Sequence, residues 1–266
     1  MTENTKQRIA MGVEYDGSEY SGWQYQGHTQ NTVQYDVEKA LSAVADEAIQ
    51  VHCAGRTDAG VHGSEQVIHF DTLAERSLRG WVYGANANLP KKVCVLWAKE
   101  VDDNFHARFS ATARRYRYII LNRAIRPAVL NHRVTWEYRA LDADKMHSAA
   151  QALVGEHDFT SYRAVACQAK KPVRELRWIR VSRHGQYVVI DVEADGFLHH
   201  MVRNIAGVLM DIGAGKAKDS WAAEVLAHRD RNLGGVTAPP WGLYLARITY
   251  PESFKLPQLS LDSPVW

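Results

Sequence analysis

The sequence predicts an α+β fold of two halves that share a largely antiparallel mixed sheet flanked by helices and loops. Three observations predict it. From residue 8 to 101 the apolar spacing runs strand, helix, strand, helix, strand. A similar order returns after Arg115. Between the two, Phe105-His106-Ala107-Arg108-Phe109 contains no flexible Gly/Ser linker, so the sheet is expected to continue from one half into the next. The expected division is an N-terminal half, residues 1–106, a C-terminal half, 107–250, and an irregular tail, 251–266.

Ile9, Met11, Val13 and Tyr15 alternate with small or polar residues and meet the turn Asp16-Gly17, which reads as a half-buried strand. Asn31 followed by Gln34 is a capping-box signal, and Val33, Val37, Ala40, Leu41 and Val44 continue at helical spacing to about Glu47. A short strand, the loop around Asp58 and a second strand, Gln66 to Phe70, come next. Leu78, Trp81, Val82 and Ala85 form another helical stripe, closed by Asn88-Leu89-Pro90, before the alternating Val93, Val95 and Trp97. This order is that of a ferredoxin-like or RNA-recognition-motif-like half.

The second half opens on the strand Arg115-Tyr116-Arg117-Tyr118-Ile119-Ile120. Asp142 caps a helix bearing Met146, Ala150 and Leu153, and a long basic loop spans His157 to Lys171. Leu176 and Trp178 lead through His184-Gly185 into Val188, Ile190 and Val192, a hairpin. After Asp195-Gly196-Phe197, a helix carries Met201, Val202, Ile205, Val208, Leu209 and Ile212 on one side, with Arg203 opposite and Gly213 as C-cap. Asp219 to His228 is a further helix, and Leu243, Leu245 and Ile248 mark the last strand. The repeated order suggests an ancient duplication.

Composition excludes several classes. The 266 residues contain no apolar run near the roughly 20 residues of a membrane span, and the polar start, Met1 to Gln7, has no signal-peptide core, so a cytoplasmic protein is expected. Cys53, Cys94 and Cys167 form neither a disulfide framework nor a zinc pattern, and the histidines lack metal-site spacing. No metal is assigned. The net charge of +2 hides two basic runs: eight arginines from Arg108 to Arg139 against one acid, Glu137, and Arg163 to Arg183 against only Glu175. Each run alone suits a solvated face. Interleaved with Tyr116, Trp136, Tyr162 and Trp178, the two together favour RNA, because arginine and aromatic faces stack on unpaired bases.

Residues Ala54 to Gly63 read Ala-Gly-Arg-Thr-Asp-Ala-Gly-Val-His-Gly, three glycines around Arg56 and Asp58 between two strand-like segments. Two readings fit: a polar turn in which Asp58 caps its own backbone, or a loop that holds a reactive carboxylate in one pose. Thr57-Asp58-Ala59-Gly60 is also similar to an aspartic-protease loop, but that chemistry needs two carboxylates sharing a proton, and no second copy exists. A glycosidase carboxylate pair is similarly unsupported.

The stretch Gly55-Arg56-Thr57-Asp58-Ala59-Gly60-Val61-His62 resembles the catalytic signature of the tRNA pseudouridine synthase A family. Arg115-Tyr116-Arg117-Tyr118, Gly196 to Ile205 with its Phe197 and Met201-Val202-Arg203, Tyr20 to Gln24, and Trp241 to Leu245 are similar to further family segments, in the family's order from residue 12 to 250. The resemblance implies that Asp58 is essential, that Tyr116 lies against the target base and that Arg203 pairs with the catalytic Asp. On the residues alone, Tyr116 is equally a core tyrosine and Arg203 an exposed arginine. Arg56 would hold the flipped nucleotide, or form a salt bridge within its loop. The resemblance further implies isomerisation of uridines 38–40 of the tRNA anticodon arm by base flipping, without cofactor, by a homodimer. A non-catalytic RNA-binding module is the alternative, and it leaves the Asp58 loop unexplained.

Overall fold

The computed structural model describes residues 6–27 and 29–259; the start through Thr5 and the end of the expected tail, 260–266, lie outside them. In chain order the elements are β1 (Gln7–Tyr15), α1 (Val33–Ala45), β2 (His52–Cys53), β3 (His62–Thr72), α2 (Leu78–Asn88), β4 (Val93–Val101), β5 (Ala113–Asn122), β6 (Thr135–Glu137), α3 (Ala143–Ala150), β7 (Gly155–Asp158), β8 (Val173–His184), β9 (Tyr187–Ala194), α4 (Met201–Gly213), α5 (Trp221–His228) and β10 (Leu243–Thr249). The fold is α+β, with largely antiparallel strands flanked by helices. Among the described residues no helix is long and apolar enough to cross a membrane.

The chain forms two compact units: one runs to Thr112 and resumes at Leu245, and the other is Ala113–Tyr244. This differs from the expected division at 106/107 with a separate tail. The reason is a set of contacts local to the first unit. Thr112 N donates to Thr249 O at 2.8 Å, Tyr250 Oη to Ala107 O at 2.6 Å and Lys99 Nζ to Phe254 O at 3.0 Å. Phe254 also packs edge-on to Phe105, ring centres 5.1 Å apart. Residues 251–259 are therefore fastened down, with a 3-10 turn at Glu252–Phe254.

In the first unit the strand order is β4-β1-β3-β10, with β1 antiparallel to β3 and β4 and the short β2 paired to β3. Ile9, Met11 and Val13 of β1 join Ile68 and Phe70 of β3, Val37 and Leu41 of α1, and Trp81 and Ala85 of α2 in one core. That is the burial the alternating and helical spacings called for. Two details differ. The α1 cap is Thr32, whose side chain accepts from Tyr35 N, while Asn31 instead donates to Glu19 O at 2.7 Å. Leu78 is exposed, because Ser77 caps α2 and the first turn projects beyond the core.

Three imidazoles meet beside β2 and β3. His69 lies 5.0 Å from His52 and 4.6 Å from His106 between ring centres. His69 is 2% exposed and its Nδ1 accepts the Ala107 N–H at 3.1 Å, so the fold requires it neutral. Burial first, then the neighbouring His106 and His52, push its pKa down to about 3. The unfolded chain, with a histidine pKa of roughly 6.5, thus binds more protons below that pH than the folded one. Stability contributed by neutral His69 is complete above that value and falls as pH drops toward the folded value, by up to about 1.4 kcal/mol per pH unit. Urea unfolding at pH 7.5 and 5.5 is expected to show this loss, and His69→Gln to reduce it; equal pH dependence in the variant would refute the assignment.

In the second unit the order is β5-β9-β8-β7, all antiparallel, with β6 parallel to β5. The strand and helix order of the first unit returns with additions: β6, β7 and α5 interrupt it. The expected long loop is shorter, since β7, a 3-10 turn at Thr160–Tyr162 and the early start of β8 at Val173 organise it. Asp142 caps α3 as expected, accepting from Asp144 N and Lys145 N. The whole stripe of α4 named from the sequence is buried. Gly213, expected as its C-cap, is instead its last residue, with Ala214 as the cap. A Cβ there would lie 2.6 Å from Met146 Sδ, so the glycine serves the packing of α3 on α4.

Candidate active site

The Asp58 loop leaves β2 and enters β3, and nearly every residue beside Asp58 is fastened. Ala54 N donates to Val67 O at 2.8 Å, and the fully buried Gln66 side chain closes on Gly55 from both directions, its amide on the carbonyl and its Oε1 on the N–H. Thr57 is held twice: its carbonyl accepts from Trp23 N at 3.0 Å, and its hydroxyl meets Tyr15 Oη at 2.8 Å. Beyond Asp58, Gly60 N donates to Tyr20 O and Val61 N to Asp58 O. A short loop tied on both flanks leaves its central residue little freedom.

The glycines contribute differently from the expectation. Gly60 takes a left-handed angle, φ +78°, but Gly55 and Gly63 do not; Gly63 is needed because a Cβ there would sit 2.5 Å from the Tyr15 ring. The second left-handed glycine at the loop is Gly22, φ +104°, where a Cβ would approach Thr57 O to 2.8 Å. Trp23, within the Tyr20–Gln24 segment, is 1% exposed and packs on Tyr15 at 5.7 Å. Thr57 is buried, Asp58 half-buried and Arg56 exposed, so the carboxylate and the guanidinium lie toward the outer side of a rigid support. Burial pushes the nearby Cys53 thiol up to about 12 against the pull of Arg56, which leaves it protonated and a poor nucleophile.

Tyr116 and Arg203 belong to the second unit. On β5, Tyr116 and Tyr118 share the buried face, while Arg115 and Arg117 take the other and both pair with Asp191 of β9. Tyr118 is a core tyrosine: its hydroxyl meets Thr135 Oγ1 at 2.6 Å and donates to Pro239 O at 2.8 Å. Tyr116 is 8% exposed, with its ring edge-on to Phe197 at 5.0 Å. Arg203 sits half-buried on α4, with Nε donating to Ala238 O at 2.8 Å while its own carbonyl accepts Ala238 N at 3.1 Å. One edge of its guanidinium is thereby oriented by backbone.

The basic runs are only partly offered to a polyanion. Besides Arg115 and Arg117, Arg139 bridges Glu137 and Asp211, and Arg177 lies 3.6 Å from Glu193. Except for Glu137, two residues from Arg139, these acids reach their arginines from distant positions in the chain. Arg126, Arg133, Arg180, Lys170 and Lys171 remain exposed.

Sequence reasoning passed over Asn204, which is 1% exposed. Its Nδ2 donates to Tyr162 O at 2.7 Å, and its Oδ1 accepts from Thr237 Oγ1 at 2.7 Å and Arg231 Nη2 at 3.1 Å. An asparagine beside the apolar stripe of α4 was the available signal, since buried amides are kept for their partners.

A family model described as tRNA pseudouridine synthase matches residues 11–110 and 149–251. The chain belongs to this family. Its reaction class is isomerisation. The tRNA pseudouridine synthase A of Nitrosococcus oceani is 59% identical over 259 residues, covering 97% of this chain and 100% of the relative. That of Aliivibrio fischeri (strain MJ11) is 57% identical over 254 residues, with 96% and 97% covered. Among solved structures, an H/ACA RNP bound to a substrate RNA containing 2′-deoxyuridine aligns with 76% of this chain and 44% of that chain at 11% identity and TM-score 0.36. The family match includes Arg56, Asp58 and Arg203. Tyr116 falls between its two segments.

Proposed function

We propose that the chain converts uridines 38–40 in the anticodon arm of tRNA to pseudouridine, with Asp58 as the essential carboxylate. The observation that supports this most is the fastening of residues 54–61 around a half-buried aspartate. The N1–C1′ bond of uridine breaks, the base turns, and C5 joins C1′ while C5 gives up its proton to N1 by way of solvent or a side chain. Atoms balance within the nucleotide, so no cofactor enters. Asp58 serves as nucleophile at C1′ or as base at the sugar, and both roles need it ionised and close.

A stacked uridine cannot reach such a carboxylate, so the nucleotide is flipped out, at a cost of roughly a few kcal/mol. Tyr116 takes the base, while Arg56 holds the flipped nucleotide or its phosphates. The exposed basic residues contact the tRNA body through phosphates. The enzyme works as a homodimer in the cytoplasm.

Incubating the purified protein with unmodified tRNA transcript, with no metal or cofactor added, and mapping pseudouridine at single-nucleotide resolution tests the reading. Signal confined to positions 38–40 is expected; signal elsewhere, or none on several tRNAs that bind, overturns it. Removing the Tyr116 ring with Tyr116→Ala is expected to lower kcat/KM by about 10–100-fold, matching the 1–3 kcal/mol of one base stack. Tyr116→Phe keeps most of the activity, and equal loss in both variants would point to the hydroxyl instead.

A further inference from the structure

A groove of about 470 Å3 lies within the second unit, lined by Val165 on one wall and by Arg231, Asn232, Val236 and Thr237 on the other, with His200 at its base. Its rims are apolar and exposed: Val165 is 89% and Val236 77% accessible. Its lining includes Arg231 and no acid, the nearest in sequence being Asp158 and Asp230 at the foot of the two walls, and Arg163, Lys170 and Lys171 lie on Val165's own segment.

The separation of the walls is set by Asn204. Its side chain bonds Tyr162 O on the segment leading to Val165 and, at the same time, Arg231 and Thr237 on the opposite wall. Ala164 N also donates to His199 O at 2.8 Å, tying the first wall to the start of α4. At the second wall α4 comes so near that a Cβ on Gly207 would lie 1.9 Å from Val236 O. A cleft held open by a buried amide and a close backbone contact is preformed, as ligand sites commonly are, and its size suits one nucleotide. Its lining ends at Thr237, one residue before Ala238, whose carbonyl orients the Arg203 guanidinium.

We infer that this groove binds an unpaired nucleotide of the tRNA next to the target uridine, its base lying between Val165 and Val236 and its edge facing Asn232. The inference rests on the proposed function. Apolar contact with both faces of a base, beside an amide that can both donate and accept, is the chemistry by which single-stranded RNA is read. A lining with Arg231 and no acid, next to Arg163, Lys170 and Lys171 on one wall's segment, favours RNA over a neutral ligand.

The test uses the full chain and unmodified tRNA transcript. Val165→Glu and Val236→Glu place a negative charge at exposed rims without disturbing the core. Each is expected to raise KM about tenfold or more, on the scale of a lost base contact, with kcat at saturating tRNA within about twofold. Leu78→Glu, exposed in the first unit, should leave both unchanged. A benzophenone photoprobe in place of Val236 should crosslink to one unpaired nucleotide within two of the modified uridine. KM values unchanged in both rim variants, or a crosslink only to a helical stem, would overturn the inference. Mapping pseudouridine with wild type in parallel separates the two readings. Modification outside the anticodon arm removes the proposed target but leaves the crosslink to judge the groove, whereas normal modification with unaffected variants removes the groove alone.

Discussion

Replacing Asp58 by Ala is expected to lower pseudouridine formation by at least about 10³-fold while leaving fold and tRNA binding intact. Loss of a positioned base alone costs about 10²–10⁴-fold, and loss of a nucleophile costs no less. Fold is retained because the loop's anchors run through the Gln66 side chain, the Thr57 hydroxyl and backbone groups of Ala54, Gly55, Thr57, Gly60 and Val61. The carbonyl of residue 58, which accepts from Val61 N, survives the substitution too. Asp58→Asn, nearly the same shape without the charge, should be equally inactive. Melting temperature, tRNA affinity and single-turnover rate measured on all three proteins decide the matter. A variant that keeps a tenth of the rate removes Asp58 from the reacting position, and one that neither folds nor binds assigns it to structure.

The second large effect concerns stability. Trp23→Ala deletes a side chain that is 1% exposed and packs on Tyr15, directly behind Thr57. Truncating a buried aromatic of this size costs about 3–5 kcal/mol, because the lost contacts are joined by a cavity that surrounding chains only partly fill. For a chain of this length that corresponds to a Tm lower by roughly 10 °C. Activity should fall further than stability predicts, since Tyr15, which holds the Thr57 hydroxyl, loses its packing partner, and the backbone N–H of residue 23, which bonds the Thr57 carbonyl, loses the side chain that anchors it. Trp23→Phe should recover part of both. Thermal melting with Trp241→Ala as the exposed comparison tests the claim; a shift as small as that of Trp241→Ala would remove Trp23 from the core that supports the loop.

These two residues mark how far the sequence could be read. Asp58 was legible because its motif is local: ten consecutive residues with the glycines, Arg and Thr in fixed places carry the family resemblance without reference to the rest of the chain. The strands and helices were legible for the same reason, since a two-residue or 3.6-residue period needs only near neighbours. Trp23 was not, because the same aromatic is a lid or a core residue according to what lies beneath it, and Tyr15 and Thr57 arrive there through pairing of β1 with β3.

The same limit explains the remaining differences. Asn31 satisfied the local capping pattern, yet its amide went to Glu19 O, and Thr32 took the cap. Arg115 and Arg117 counted toward a phosphate-binding run until strand register set Asp191 opposite them. Asn204 lies outside the apolar stripe named from the sequence, yet its amide joins two walls of a groove. Composition, periodicity and short motifs by themselves determined the α+β class, the order of the main elements, the family and the candidate carboxylate. Which charges are satisfied, which aromatics are buried and where the chain leaves an open groove were decided only by tertiary structure, because each depends on partners brought together from distant positions in the chain, and a pattern of near neighbours does not encode the register that brings them there.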